Sequence, residues 1–246
     1  WPIIGIDSDN DGIGEPVMSA PYPKVANPTP PKDPKTSDSF NDLASTPSYL
    51  QPQWRWHGNY NPEWFSLSER IGHLRLFALP VDNGDINLVQ MPNFLSQKFP
   101  DIAFEVVAKI DVSELKEGGE FGMGASGETY AALTIRKTPT QTLASYKTRY
   151  QARNSAIEQT LHKVHFNNDT NQEFFIKLVV EQGALCDFYI SQDGQEYYKM
   201  GSDFKASKFR LVGASFGFYA ASSQDSDRGY TDIDYVEVSY TPQNKR

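Results

Sequence analysis

Cysteine is almost absent from this chain of 246 residues, in which Cys186 is the only one. A single cysteine permits no internal disulfide, and the apolar neighbours in residues 184–190 predict a buried core thiol. No apolar run approaches the roughly 18 residues of a membrane-spanning helix, so we expect no membrane segment. The 23 basic residues are outnumbered by 31 acidic ones and form no stripe, which argues against nucleic acid as a partner.

Signatures of catalytic and metal-binding sites are scarce as well. Of the four histidines only His162 and His165 are close in sequence, and no cysteine or third histidine completes a zinc site with them. The chain contains no G-x-S-x-G motif, and the glycines of residues 122–127 lack the following helix that would make them a phosphate-binding loop. A glycosidase needs only two facing carboxylates, but no spacing rule selects such a pair among 31 acids.

Short strands separated by turns are what the sequence does contain. Residues 53–77 carry three of the four tryptophans and end in alternating apolar and polar positions. Similar strand patterns recur at residues 94–99, 103–112, 121–125, 130–135, 173–180, 185–191, 211–220 and 232–240. Only residues 155–164 show a weak helical pattern. Many short strands without long helices predict an all-β fold, namely a two-sheet antiparallel jelly-roll sandwich rather than a smaller immunoglobulin domain.

Composition divides the chain into four segments. Residues 1–20 are interpreted as a short strand and an acidic loop, which cannot form a core alone. Residues 21–36 are rich in proline and predict an extended linker. We therefore place the β-sandwich at residues 37–241, followed by a short tail at 242–246. The chain starts with Trp1 and shows no signal sequence, so we expect it to be a piece of a longer chain.

The acidic loop has a partial calcium-binding pattern. Asp7, Asp9 and Asp11 alternate and Gly12 follows, a spacing by which carboxylates can surround one hard cation. The twelfth position counted from Asp7 is Met18, where an EF-hand has a bidentate glutamate, and no helices flank the loop. A calcium loop and a solvated acidic turn are therefore both open interpretations.

Four aromatic residues of the tryptophan-rich stretch are candidates for contact with another molecule. Trp54, Trp56, Tyr60 and Trp64 could form a stacking platform for sugar rings. They could equally be core or domain-contact residues, which is the usual role of large aromatic side chains.

Several motifs resemble the C-terminal β-sandwich of family-43 glycoside hydrolases, the β-xylosidase and α-arabinofuranosidase group. The segments that carry the resemblance follow the family's order. They are residues 37–40, 50–57 (LQPQWRWH), 64–76 (WFSLSERIGHLRL), 93–98, 122–124 with 130–133, 188–194 and 232–235 (DIDY). Residues 1–17 are in turn similar to the end of the five-bladed catalytic propeller of these enzymes.

The resemblance implies a concanavalin A-like sandwich that is the non-catalytic accessory domain of an inverting glycoside hydrolase acting on plant hemicellulose. The family's catalytic acids lie in the upstream propeller, so we expect none of them in this chain and expect the propeller as its partner. Two other functions stay open: a carbohydrate-binding module for xylan or arabinan oligosaccharides, and a structural or adhesion sandwich. An extracellular or periplasmic location is the expectation for such an enzyme.

The resemblance also implies two kinds of site residue. In similar sandwiches a structural calcium ion ties the first strand to the last, which makes Asp38 and Asp234 the expected ligands here. The alternative is that each carboxylate only pairs with neighbouring residues. In the resembling enzymes an aromatic side chain of the sandwich closes the catalytic pocket. Residues 202–210 are interpreted as a polar loop that offers Phe209 as the first candidate and Phe204 as the second, unless both are buried locally.

Overall fold

The computed structural model describes residues 7, 9–14, 35–41, 49–81, 87–150, 158–167, 172–208, 212–223 and 229–240. The chain divides into two compact units, Trp1–Pro34 and Lys35–Arg246. Their boundary falls inside the segment whose proline content predicts a linker. Within the described residues, no helix is long and apolar enough to cross a membrane.

The larger unit is built from strands, as expected where apolar residues alternate with polar ones. Its described residues form fifteen strands and one short 3-10 helix, Pro62–Trp64. The strands are β1 (Arg55–Trp56), β2 (Phe65–Ser66), β3 (Leu74–Phe77), β4 (Leu79–Pro80), β5 (Leu95–Lys98), β6 (Phe104–Asp111), β7 (Gly119–Ser126), β8 (Tyr130–Lys137), β9 (Gln141–Arg149), β10 (Gln159–Asn167), β11 (Glu173–Glu181), β12 (Leu185–Ser191), β13 (Tyr198–Lys205), β14 (Ser215–Ser222) and β15 (Tyr230–Tyr240).

These strands form two sheets. The eight-stranded sheet has the order β1-β5-β14-β7-β8-β9-β10, and β4 pairs in parallel with β14. The seven-stranded sheet has the order β13-β12-β11-β6-β15-β3-β2. All other strand pairs within the described residues are antiparallel. The prediction of an all-β, two-sheet antiparallel sandwich is confirmed.

The main core lies between the two sheets because alternate residues of a strand point to the same face. Along β6 of the seven-stranded sheet, Phe104, Val106, Ala108 and Ile110 are buried while the residues between them are half-buried. They share one hydrophobic cluster with Phe121 of the eight-stranded sheet. Full burial of a side chain such as phenylalanine stabilises the fold by roughly 1.5–3 kcal/mol.

The last strand departs from simple alternation. The sequence places Val236 and Val238 on one face of β15 and Ile233 on the other, yet all three are buried in the main core. The pairing of β15 with β6 shifts register between Ile233 and Tyr235. A bulge of this kind inserts one extra residue into the strand. The side chains after it therefore point to the opposite face of the sheet from the one that strict alternation predicts. The prediction that Ile233 lies on the opposite face from Val236 and Val238 is therefore wrong.

Two predictions of local structure are corrected, and one strand was not predicted. Residues 159–164 are not helical but belong to β10, an edge strand whose exposure on both faces removes the period of two from its sequence. Residues 202–205 belong to β13 and not to a loop. Residues 141–149, for which no element was predicted, form β9, and residues 142–149 of this strand pair with the whole of β8.

Candidate functional site

The tryptophan-rich stretch contains one core residue. Trp54 is buried and its ring packs against Phe40 and Phe218. The indole Nε1 of Trp54 donates a 2.9 Å hydrogen bond to Asp38 Oδ2. A sugar-platform role is therefore wrong for Trp54, and the core interpretation holds for it.

The other three aromatic candidates form an edge-to-face cluster rather than a flat platform. The rings of Trp56 and Trp64 have centroids 5.4 Å apart and planes at 72°. Trp56 and Tyr60 both contact Phe65. Trp56 and Trp64 are half-buried, whereas Tyr60 is 55% exposed. Because the rings hold one another while part of each stays accessible, a contact with sugar or with another domain stays open for these three residues.

Asp38 and Asp234 lie where the first described segment of the sandwich pairs with its last strand. Asp38 Oδ1 accepts a hydrogen bond from the Phe40 backbone N–H, and its Oδ2 accepts one from the Trp54 indole. Asp234 Oδ2 accepts a hydrogen bond from Lys109 Nζ at 3.1 Å. Calcium takes six to eight oxygen ligands. These contacts favour the alternative in which each carboxylate only pairs with neighbouring residues, and calcium binding at Asp38 and Asp234 stays a prediction.

Phe204 is a core residue and not the edge of a pocket. It lies in β13 opposite Cys186 of β12 and is 1% exposed. The prediction of a pocket role for Phe204 is wrong because β13 directs this side chain into the sandwich. Cys186 is fully buried, which confirms the predicted core thiol, and burial raises its pKa from 9.0 to about 12. Phe209 lies outside the described residues, so its role stays a prediction.

The acidic loop of the smaller unit brings its carboxylates together. Oxygens of Asp7, Asp9 and Asp11 lie within 4.8 Å of one another. Asp7 accepts hydrogen bonds from the backbone N–H groups of Asp11 and Gly12, and Asp11 accepts one from that of Ile13. This arrangement suits a turn held by its own backbone donors as well as a cation loop. Calcium binding stays a prediction here.

The outer face of the eight-stranded sheet carries a second hydrophobic cluster that the sequence analysis missed. Leu88, Met91 and Phe94, which precede β5, pack with Tyr130 of β8 and Tyr219 of β14. The two tyrosines alternate along their strands with residues of the main core. They therefore lie on the opposite face of the sheet, and the residues before β5 cover it there.

Two glycines of β7 make room for this cluster. A Cβ atom at Gly122 would lie 2.3 Å from Cε1 of Tyr219, and one at Gly124 would lie 2.5 Å from Cδ1 of Leu88. Both distances are far below van der Waals contact. The G-x-G pattern thus serves close packing over the strand. Its spacing is visible in the sequence, but the residue that fills the space is not.

A buried ionic cluster adjoins the second hydrophobic cluster on the same face. Lys147 Nζ lies 2.8 Å from a carboxylate oxygen of Glu120 and 3.2 Å from one of Glu158. Tyr219 donates a hydrogen bond to Glu120, and Tyr130 donates one to Glu158. The Glu120 side chain is only 2% exposed. Burial disfavours the charge of Lys147, but the two glutamates outweigh it and raise the lysine's pKa.

A small pocket of about 260 Å³ opens on this outer face at the β1 edge. Two positively ionisable side chains, a tryptophan and two serines dominate its wall. The lining residues are Arg55, Trp56, His57, Val89, Ser126, Val212, Gly213 and Ser215.

A larger open groove of about 780 Å³ runs along the edge of the seven-stranded sheet. Phe77 and Tyr230 form one wall, with ring centroids 6.2 Å apart and planes at 78°. The guanidinium of Arg75 stacks 3.6 Å from the centroid of Tyr230. Trp64 is a further aromatic residue of the lining, and Asn61, Glu63, Glu114 and Lys116 supply polar groups.

Comparison with known proteins places these features in a family. Residues 38–239 match the model of the beta-xylosidase C-terminal concanavalin A-like domain. A beta-xylosidase of Formosa agariphila is 29% identical over 98% of this chain and 40% of its own length. Among solved structures, a bifunctional GH43-CE protein of Bacteroides eggerthii has a TM-score of 0.72 at 23% identity, covering 84% of this chain and 26% of that one.

A second solved structure, the GH43 BlXynB protein of Bacillus licheniformis, has a TM-score of 0.70 at 20% identity, covering 87% of this chain and 41% of that one. At such identities the two structures support the fold alone. The chain spans about two fifths of the length of the Formosa relative. The family match covers most of the chain, and it shows that this protein belongs to the family of C-terminal concanavalin A-like domains of beta-xylosidases.

Proposed function

We propose that this chain is the accessory part of a larger glycoside hydrolase of β-xylosidase or α-L-arabinofuranosidase type that acts on plant hemicellulose outside the cytoplasm. The catalytic acids lie in an upstream propeller on which the sandwich packs. One observation carries this proposal. The Formosa beta-xylosidase aligns over 98% of the chain, so the alignment extends beyond residues 38–239 into the N-terminal segment. The sandwich and the segment before it therefore occur together in a much longer protein.

The outer face of the eight-stranded sheet supports a non-catalytic role for the sandwich. Catalytic carboxylates of a glycosidase must face a substrate across a cleft. Glu120 and Glu158 are close together, but both pair with Lys147, and a tyrosine hydroxyl donates a hydrogen bond to each of them. Carboxylates held in such ion pairs and hydrogen bonds stabilise a face of the domain instead of offering a free acid and a free base.

Hydrolysis of aryl β-xylosides and aryl α-L-arabinofuranosides tests the proposal. The 246-residue chain alone is expected to show no turnover above buffer, whereas a chain that includes the upstream domain is expected to hydrolyse at least one substrate. Melting of each protein is followed by circular dichroism to show that it is folded. Turnover by the 246-residue chain would refute the claim that its catalytic acids lie elsewhere.

A free-standing carbohydrate-binding module is the second candidate function, and the groove of Trp64, Phe77 and Tyr230 favours it. Aromatic rings with neighbouring polar groups suit the apolar faces and hydroxyls of sugars. Isothermal titration with xylo- and arabino-oligosaccharides separates the two functions. Micromolar binding that Tyr230→Ala abolishes, with melting unchanged, would favour the binding module. An absence of heat at millimolar sugar would favour the accessory domain.

A further inference from the structure

The small pocket on the outer face, lined by Arg55, Trp56 and His57, has no part in the function proposed so far. Besides Arg55, a second cationic side chain reaches it, because Lys98 Nζ donates a 3.0 Å hydrogen bond to the carbonyl of Gly213, one of the lining residues. Arg55 and Lys98 are close enough that the charge of Arg55, after desolvation, helps to lower the pKa of Lys98. Like charges are thus gathered at this point of a chain whose net charge is −8.

These cations lack the carboxylate that usually accompanies such a group. Within the described part of the chain, neither Arg55 nor Lys98 forms an ion pair, although Arg75 and Arg70 each contact two acidic side chains. Holding like charges together without a counter-ion is unfavourable, and an arginine fork matches a carboxylate in both shape and charge. The pocket therefore favours an anionic group.

The remaining wall adds features that a simple anion does not need. Ser126 and Ser215 are 3% and 5% exposed and both line the pocket. The His57 imidazole, which also lines the pocket, contributes an aromatic ring that packs edge-on against Phe94 of the second hydrophobic cluster. Hydroxyl partners beside an aromatic ring suit the hydroxyls and the apolar face of a sugar.

We propose that this pocket binds the carboxylate-bearing sugar residue of a glycan, a uronic acid. Arg55 and Lys98 hold the carboxylate, His57 contacts the ring, and Ser126 and Ser215 bind its hydroxyls. At about 260 Å³ the pocket is smaller than the roughly 300–1,000 Å³ of sites for drug-sized ligands, so it suits a single monosaccharide. The inference rests on the proposed function, since it takes the parent enzyme to act on a glycan that carries such residues.

Two probes that differ only at C6, with a carboxylate in one and a hydroxymethyl group in the other, test this proposal. Methyl β-D-glucuronide and methyl β-D-glucoside are titrated into the ¹⁵N-labelled 246-residue chain at low salt and again at 0.5 M NaCl. We expect the glucuronide to shift the signals of residues around the pocket and the glucoside to bind at least about tenfold more weakly. High salt should weaken binding of the glucuronide and leave binding of the glucoside unchanged.

Variants locate the interaction. Arg55→Gln should weaken glucuronide binding about tenfold or more, and Lys98→Gln should weaken it as well. Lys163→Gln is the matched control, because it removes one positive charge from exposed β10 at the opposite edge of the same sheet. Equal losses in Lys98→Gln and Lys163→Gln would mean that only net charge matters, which overturns the proposal.

Three further results would also overturn it. One is binding of sulfate as tight as that of the glucuronide, since this would mark a general anion site. Another is unchanged glucuronide affinity in Arg55→Gln. The third is loss of binding when the upstream domain is added, since a group of that domain would then fill the pocket. All three are distinct from failure of the proposed function, which is measured by turnover of the longer chain.

Discussion

At the scale of single residues, Gly122 decides whether the outer face can be covered. The Tyr219 ring lies over this glycine, is fully buried and is fixed by its hydrogen bond to Glu120. Gly122→Ala places a methyl group 2.3 Å from that ring. We expect a loss of about 1–3 kcal/mol in the free energy of unfolding, measured by urea denaturation.

The control for this prediction is Gly213→Ala, because nothing lies within 4 Å of a Cβ atom at Gly213. Its stability should match that of the wild type within about 0.5 kcal/mol. Equal effects of the two substitutions would contradict the assignment of Gly122 to a close contact.

Cys186 gives a prediction about pH. Burial raises the pKa of its thiol from 9.0 to about 12, so the native state favours the protonated form. This contribution to stability is fully present below pH 9 and is lost as the pH rises from 9 towards 12. Native protein should react with a thiol reagent at pH 8 far more slowly than protein in 8 M urea. Labelling at equal rates would show that Cys186 is accessible.

Asp38 and Asp234 lead to a prediction about metal removal. Their oxygens accept hydrogen bonds from the Phe40 N–H, the Trp54 indole and the Lys109 ammonium. We therefore expect the melting temperature of the sandwich to stay the same with EDTA and with millimolar calcium. A rise in melting temperature with calcium, absent in Asp38→Asn, would restore the metal site that the resemblance implies.

At the scale of elements, the buried ionic cluster ties β7, β9 and β14 together. Lys147→Met removes the ammonium group that pairs with both Glu120 and Glu158, and breaking a buried ion pair in this way costs about 3–5 kcal/mol. The pKa of Lys147 is raised, so this contribution is complete at neutral pH and declines only as the pH passes the lysine's folded-state pKa. Urea denaturation at pH 7 measures it.

Lys163→Met is the matched substitution for this prediction, since Lys163 is exposed on edge strand β10. It should change stability by no more than about 0.5 kcal/mol. A small effect of Lys147→Met would mean that the cluster is solvated rather than buried.

The elements also show where a sequence pattern is informative. Strands with one buried face, such as β6 and β12, keep the period of two, and their bounds lie within one or two residues of the predicted ones. Strand β10 has no buried face, and in β13 only Met200 and Phe204 are buried while Ser202 between them is exposed, so neither strand shows a run of alternating apolar residues. The bulge in β15 changes which face of the sheet its side chains point to, but no residue type in the sequence marks its position.

At the scale of the whole molecule, the fold class followed from local patterns because short strands and turns leave few architectures. The outer-face sites did not follow. The second cluster needs residues 87–94 to return over β7, β8 and β14, and the small pocket needs β1 beside β5. Such contacts join distant parts of the chain, so no local spacing records them. Among the predicted site residues, Trp54 and Phe204 turned out to be core because long aromatic side chains reach the nearest apolar interior.

Alanine substitutions of Phe209 and Phe204, compared with each other, test whether the sandwich contributes a side chain to the catalytic pocket of an upstream domain. The resemblance gives Phe209 the task of closing a catalytic pocket, whereas Phe204 is buried in the core. In the longer enzyme, Phe209→Ala should raise KM or lower kcat several-fold with the melting temperature nearly unchanged. The phenylalanine ring would exclude water from the catalytic pocket, and the substitution removes that contact without affecting the core. Phe204→Ala should cost about 3–5 kcal/mol of stability with near-normal kinetics at low temperature. Wild-type kinetics together with a large fall in melting temperature for Phe209→Ala would show that Phe209 too belongs to the core.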